Sequence, residues 1–435
     1  MPNNENEDSE YHSSSSDGDE SDSDSESDVN CVEDELDNEV FAHGTQWTFG
    51  ERKLVDNYVS GKYEARLLVR DDISVWTEVD FWRLFFPSEN IDKILRFTNA
   101  GFNNTGKPVD EVELFKVFRI LYAMTLFPCS TRRDYLSVNT DAKLFPPLAF
   151  SKRFNMGLHR FESILMNLSF GPKNEEDKWS AVRPLVDALN DKWRAIINPG
   201  YKLTVDESMF SWLGQGQCSK SGMPAVMKIK RKPKGIGCEV KTLADSCSQI
   251  MLRMELHEGQ EVMSTKPYQK ELGAGTGTLL RLTEPWYGSG RVVVGDSWFG
   301  SVKATDQLFE RGLHFIGMVK TATRNYPLKE MKRRCPNTRG ASISATAQLD
   351  AGKPVILAMA WTDKKVHSLV SSCGTTHEGT PAKKHRIDHE GNSFVKMVPR
   401  PLLFETYFDG APAIDIHNHI RQDGLALEAV WGTHL

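Results

Sequence analysis

Two short apolar runs, each ending on an aspartate, constrain this chain more than any other feature in it. In Tyr201-Lys202-Leu203-Thr204-Val205-Asp206 apolar and polar side chains alternate. That is the period of a half-buried strand, with Asp206 on the face opposite Leu203 and Val205. In Arg291-Val292-Val293-Val294-Gly295-Asp296 the apolar run is unbroken, as in a buried strand, and it too ends on an Asp. Residues Ser301 to Arg311 then read as a helix ended by Gly312, and His314 to Val319 as a further strand. Strand, helix, strand at this spacing predicts a parallel pair joined by a right-handed crossover, which makes the core α/β. One Asp at a strand end reads as a turn residue. A second in the same setting makes the two candidate metal ligands.

Upstream of residue 200 the period is helical. Phe81, Trp82, Phe85 and Phe86, then Ile91, Ile94, Leu95 and Phe97, then Leu114, Val117, Phe118 and Leu121 recur at helical spacing. Phe161, Ile164, Leu165 and Leu168, and Leu185, Leu189, Trp193 and Ile196, make two more amphipathic segments. Such stripes read as core, and the cations Arg132, Arg133, Lys152, Arg153 and Arg160 are left as phosphate contacts or solvated helix faces. Past residue 200, Cys238 to Leu243, Ile250 to Leu256, Val355 to Trp361 and Val366 to Val370 read as strands. Gly273, Gly275 and Gly277 lack the flanking strand and the Lys-Ser/Thr of a nucleotide loop and read as a flexible connection. Residues 321–352 are basic and irregular and read as an insertion. The expected organisation is a disordered acidic tail over 1–60, a helical dimerisation and DNA-binding domain over 61–199, a core in two parts over 200–320 and 353–435, and the insertion between them.

The formal net charge of −6 conceals an asymmetry. Sixteen of the 59 acids lie in residues 1–40, which contain no Lys or Arg, so the remainder carries 43 acids against 53 bases, a net of +10. A basic body favours a polyanionic partner, and an acidic tail competes for the same surface. The tail cannot bury enough apolar surface to order itself; its serines, Ser13 to Ser16 and Ser21 to Ser27 among acids, suit an acid-directed kinase or a merely solubilising role. The tract Lys228, Lys230, Arg231, Lys232 and Lys234 reads as a nuclear import signal, a phosphate-binding loop or an exposed turn, and Arg333 and Arg334 are further candidate DNA contacts. Seven cysteines lie far apart without a Cys-x-x-Cys pair, so neither a disulfide framework nor a zinc module is written here, which fits a reducing compartment. No run of signal-peptide or membrane-span length occurs.

Several strings together resemble the piggyBac transposase family. They are Leu203-Thr204-Val205-Asp206-Glu207-Ser208-Met209, Lys232-Pro233-Lys234-Gly235 with Gly237, Val294-Gly295-Asp296-Ser297-Trp298-Phe299 and Trp361-Thr362-Asp363-Lys364-Lys365-Val366. Ile94-Leu95-Arg96-Phe97-Thr98-Asn99, Arg160-Phe161-Glu162-Ser163-Ile164-Leu165 and Leu189-Asn190 are similar to its helical region. The resemblance runs from about residue 75 to 430 in consistent order.

It implies a ribonuclease H-like core, a mixed sheet flanked by helices, in which three distant carboxylates hold two divalent ions, Mg2+ or Mn2+. By position these are Asp206, Asp296 and Asp415, with Asp206 bridging the ions. The family's pattern Gly-Gly-Val-Asp-x-x-Asp reads here Pro412-Ala413-Ile414-Asp415-Ile416-His417-Asn418, so Asn418 stands where the family has a fourth Asp. An amide keeps an oxygen ligand but removes a charge, and weaker ion binding is the expectation. Asp415, Asn418, His419 and Gln422 share one helix face; His417 and His419, at alternate positions, do not converge on one ion. The resemblance also implies more helix after the third Asp and often a zinc module, so a chain stopping at Leu435 is expected to be cut short.

Two functions follow. The first is a nuclear, metal-dependent transposase that cuts and rejoins DNA at TTAA, passing through hairpin ends. Its partners are double-stranded DNA (transposon ends and the TTAA target) and a second copy of the chain, with no membrane. The second is a catalytically impaired, transposon-derived DNA- or chromatin-binding protein. A sugar hydrolase also needs two acids, but leaves the basic body unexplained.

Overall fold

A computed structural model describes residues 38–50, 63–69, 72–102, 106–127, 129, 131–138, 147–174, 176–211, 225–228, 236–350, 353, 355–387 and 391–425. The acidic, Ser-rich stretch 1–37 lies outside these, as does the whole of the tract 229–235.

The chain opens with two strands, β1 (Glu39–Ala42) and β2 (Thr45–Phe49), and a two-residue strand β3 (Arg66–Leu67). Helices α1 (Glu78–Phe85), α2 (Ile91–Ala100), α3 (Glu111–Leu126), α4 (Arg132–Leu136), α5 (Phe150–Arg153), α6 (Leu158–Asn167) and α7 (Arg183–Ile196) follow, then β4 (Ile197–Asn198), which pairs with β3. From there come β5 (Lys202–Ser211), β6 (Val226–Lys228), β7 (Ile236–Asp245), β8 (Met251–Leu256), α8 (Gln260–Thr265), α9 (Gln269–Leu272), α10 (Ala274–Thr283), β9 (Val292–Gly295), α11 (Val302–Glu310), β10 (His314–Met318) and α12 (Leu328–Arg334). The last elements are β11 (Ser342–Gln348), β12 (Val355–Thr362), β13 (Val366–Ser371), β14 (Ala382–Ile387), β15 (Ser393–Val398), α13 (Leu402–Gly410) and α14 (Ala413–His419), which runs on into a π-helical turn over Ile420–Gly424.

The helical unit forms for the reasons its sequence offers. Asp110 caps α3 by accepting from the Glu113 amide, and α3 turns Leu114, Val117, Ile120, Leu121 and Met124 inward. These meet Ile91, Ile94, Phe161, Ile164 and Leu165 in one core. The aromatic stripe is packing, as its period predicted. Trp82 stacks on Phe86 at 4.6 Å and meets Phe115 edge-on at 5.4 Å.

Eleven strands make one mixed sheet in the order β1-β2-β11-β12-β13-β10-β9-β5-β7-β6, with β8 also on β7. Strands β5, β9 and β10 are parallel at its centre, as the strand, helix, strand spacing predicts, and α11 makes the crossover. Ser301 caps α11 through the Ala304 amide, and Gly312 ends it at a φ of +69°, in the left-handed region that suits glycine. The mixed sheet flanked by helices is the fold class the sequence led to.

Four expectations need correction. Strand β5 is covered on both faces rather than one, because α13 and α14 close over the side that alternation left for solvent. The tail expected to extend to residue 60 instead supplies β1 and β2, with Trp47 fully buried between Tyr326 and the core around it. The segment 321–352, expected to be an irregular insertion, contributes β11 to the sheet between β2 and β12. The glycines read as a flexible connection lie at the start of α10. A Cβ on Gly275 would come within 2.7 Å of the Trp298 carbonyl, so this helix packs against the loop after Asp296 only because the side chain is missing.

Candidate active site

Strands β5 and β9 run parallel with Val205 opposite Gly295, so Asp296, just past the end of β9, comes beside Asp206, which lies midway along β5 rather than at a strand end as the sequence led us to expect, because β5 runs on to Ser211 against β7. That end of an open parallel region is where ligands bind. Asp206 accepts from the Glu207 amide at 2.7 Å. Asp296 accepts from the Trp298 amide at 2.9 Å, and its carbonyl takes the amides of Phe299 and Gly300 at 3.1 and 3.0 Å. The turn is locked from behind. A Cβ on Gly300 would stand 1.9 Å from the Met318 carbonyl, so only glycine lets the loop lie on β10.

Oxygens of Asp206, Glu207 and Asp296 all lie within 4.8 Å of one another. Burial, and then the charges of Glu207, Asp296 and Asp415, push the Asp206 carboxyl well above its ordinary pKa. Acids crowded in this way repel one another, and a divalent cation relieves that repulsion. An all-oxygen donor set suits a hard ion such as Mg2+ or Mn2+, so the residues present fit the expected metal.

Asp415 sits in the first turn of α14, exposed, and α14 packs across β5 and β7. Its charge reaches Asp206 and also Tyr407, whose buried hydroxyl is pushed upward in pKa by desolvation and then by Asp296, Asp206 and Asp415. The structure thus brings Asp206 and Asp296 together with Glu207, while Asp415 on α14 is near enough for its charge to act on Asp206 but is not in the cluster of oxygens within 4.8 Å. Asn418 lies one turn on and buried. Its Nδ2 donates to the Glu207 carbonyl at 3.5 Å, and its Oδ1 accepts from Arg421 Nη2 at 3.1 Å. As a metal ligand it would have to give up the Arg421 bond. Arg421 also donates to the Met209 carbonyl at 2.7 Å and lies 4.2 Å above the Phe210 ring, and Gln422 donates to the same carbonyl at 3.0 Å. Together they strap the end of α14 onto β5. Desolvation, and then Arg421, holds His417 below its ordinary pKa; His419 lies 3.1 Å from Asp423.

Two participants were missed by the sequence reading. Glu207 neighbours Asp206, so strand alternation sends it to the opposite face, and only the adjacent pair of acids hinted at a shared site. Lys241 on β7 is buried, 2.6 Å from Glu239 and 3.8 Å from Glu207, with its ammonium 3.7 Å from the Trp298 ring. It stands directly across the β5–β7 ladder from Glu207, and nothing in a single sequence pairs position 241 with 207.

The expected DNA contacts divide. Lys228 is exposed at the end of β6, while Lys230, Arg231, Lys232 and Lys234 lie outside the described residues. Arg333 is half-exposed and bonds Glu330 at 2.7 Å. Arg334 is a correction: its side chain is buried, 3.1 Å from Glu330 and 4.2 Å above the Phe49 ring, and it fastens α12 to β2. Arg160 is likewise taken up by Glu113 at 2.6 Å and by the carbonyls of Lys107 and Pro108.

Comparison with known proteins agrees with this architecture. Residues 77–431 match the family described as Transposase IS4. The chain belongs to this transposase family, and the class that fold and site define is a DNA transposase. Among solved structures it is similar to the piggyBac transposase in a synaptic complex with hairpin DNA. The TM-score is 0.61 at 18% identity, over 85% of this chain and 75% of the other. The motif resemblance and the fold therefore point the same way. Among the described residues no helix is long and apolar enough to cross a membrane.

Proposed function

We propose that this chain cuts and rejoins phosphodiester bonds at the TTAA-flanked ends of a DNA element, through hairpin ends, as a nuclear homodimer dependent on divalent metal. The observation that carries this reading is the convergence of Asp206, Glu207 and Asp296 within 4.8 Å, with the charge of Asp415 acting on Asp206. Asp206, Asp296 and Asp415 would hold two ions, with Glu207 beside them. Ions bound there would supply charge stabilisation to the attacking and leaving oxygens of an in-line displacement. The chain's own part is to fix this geometry. The β5–β9 register sets two carboxylates side by side, the Gly300 turn keeps Asp296 in place, and α14 brings Asp415 while Asn418, Arg421 and Gln422 hold it against β5. Burial and these acids keep the Tyr407 hydroxyl neutral.

The test is nicking of a TTAA-containing duplex with Mg2+ or Mn2+. Wild type should nick it, and Asp206→Ala should be inactive while keeping its circular dichroism and a cooperative melt. Equal background from both would end the enzymatic reading. A second reading, a DNA- or chromatin-binding protein that no longer cuts, is favoured by Asn418 and its bond to Arg421. It predicts duplex binding with no metal-dependent nicking, and no gain of activity in Asn418→Asp.

A further inference from the structure

Strands β14 and β15 form a two-stranded ribbon separate from the main sheet. Its base is anchored: Val398 is buried with Trp361 and Phe404, and the Trp361 indole donates to the Pro399 carbonyl at 2.8 Å. Beyond the base the ribbon is largely exposed, with Ile387, Phe394, Val395 and Met397 open to solvent. A lone hairpin of this kind is marginally stable in water, so its exposure calls for a partner.

The charges say what kind. Lys384 stands directly opposite Lys396, and Arg386 opposite Phe394 two pairs further on, so three cations share one face of the ribbon. Like charges directly across a strand pair are destabilising unless something negative lies over them. Among the described residues that need is met only where Lys384 finds Asp363 at 3.0 Å. Among the described residues no carboxylate pairs with Lys383, Arg386 or Lys396; the half-buried Arg386 donates from Nη1 to the His385 carbonyl at 2.9 Å, and its buried Nη2 has no hydrogen-bond partner.

We propose that the β14–β15 ribbon is a duplex-binding arm whose Arg386 and Lys396, with Lys384 on the same face, contact the phosphates of DNA flanking the cut. A two-stranded ribbon matches the width of the major groove, and the row of cations matches a polyanion. The arm is continuous with the catalytic machinery. The chain passes from β15 through Pro401 into α13, which carries Tyr407, and on to α14 with Asp415. A duplex held on the ribbon is thereby placed relative to the carboxylates. The inference rests on the DNA-cutting reading above.

The experiment titrates a fluorescent TTAA duplex with full-length protein, without divalent metal, from about 50 to 200 mM salt. Arg386→Gln/Lys396→Gln is expected to weaken binding about 10-fold or more at low salt and to reduce the slope of log K against log salt by about 2, one per lost phosphate contact. Lys396→Arg, which keeps the charge, should retain the wild-type slope, so a loss seen in the double variant but not here is electrostatic and not a folding defect. Unchanged affinity and slope in the double variant, with wild type binding normally, would overturn the ribbon assignment and leave the transposase reading standing. Should wild type itself fail to bind the duplex, both fall. If Val395→Asp/Met397→Asp instead lowers the mass in sedimentation and leaves DNA affinity unchanged, the ribbon docks a second copy of the chain and the proposal is wrong.

Discussion

Asp206 is half-buried among three other carboxylates, and without a cation that crowding opposes the fold. Asp206→Asn removes one charge from the crowd and keeps the shape. The metal-free variant should therefore melt about 2 °C above wild type, and Mg2+, which should raise the wild-type melting temperature, should raise that of the variant far less. A variant that melts below wild type and still responds to Mg2+ would mean that the carboxylate is not a ligand. Glu113 shows the opposite economy. Arg160, bonded to it at 2.6 Å, holds its carboxyl below the ordinary value. A depressed pKa gives stability that is present above the unfolded value and lost as pH falls through the folded one. Glu113→Gln should cost roughly 1–2 kcal/mol near neutral pH, and the gap to wild type should close below about pH 4 as wild type loses the same charge. Thermal melts across pH 3 to 7 measure this, and a gap independent of pH would place the cost in packing. Of the clustered acids, Asp206 and Asp296 were candidates because each closes an apolar run, although β5 runs on past Asp206, and Asp415 was a candidate from the family pattern alone. Glu207 and Lys241 were not, because their part depends on which strand lies beside which.

At the scale of elements the sequence reveals most where side chains are large and periodic. Three valines mark β9, and the stripe on α3 names its own inner face. Strand β11 reads Ser-Ile-Ser-Ala-Thr-Ala-Gln, and its small residues carry almost no pattern even though four of them are buried. It is a strand because β2 and β12 supply ladders on both sides, a fact about neighbours that no window of seven residues contains. The β1–β2 hairpin was hidden by the acidic run before it. Its signal is the turn His43-Gly44, where both residues have positive φ, 47° and 91°, as a tight two-residue hairpin requires. Trp47 makes the hairpin part of the core. It is fully buried, its indole donates to the Asn325 carbonyl at 2.8 Å, and Tyr326 meets it edge-on. Trp47→Ala should cost about 3–5 kcal/mol in urea unfolding. A cost under about 0.5 kcal/mol would show that residues 39–49 are an appendage after all.

Across the whole molecule, the three Asp residues stand 90 and 119 positions apart in the chain, so the site exists only once β5, β9 and α14 have met. The helical unit has no such dependence. Its core draws on residues between Phe86 and Phe170, and none of them belongs to the clusters that line the sheet. The junction is narrow: Phe86 faces the helical core while Leu84 and Phe85 face the sheet side, and the Trp193 indole reaches the Phe85 carbonyl at 3.3 Å. Two cores with few shared residues should lose their packing separately. Calorimetry should then resolve two transitions, and Ile120→Ala, which empties a fully buried site in α3, should lower one of them by the equivalent of roughly 2–5 kcal/mol and leave the other in place. Since the carboxylates lie wholly on the sheet side, Mg2+ should raise only the transition that Ile120→Ala does not move. A single transition shifted by both the substitution and the ion would mean that the junction at Phe85 and Trp193 couples the two cores, and that the helical unit bears on the geometry of the carboxylates.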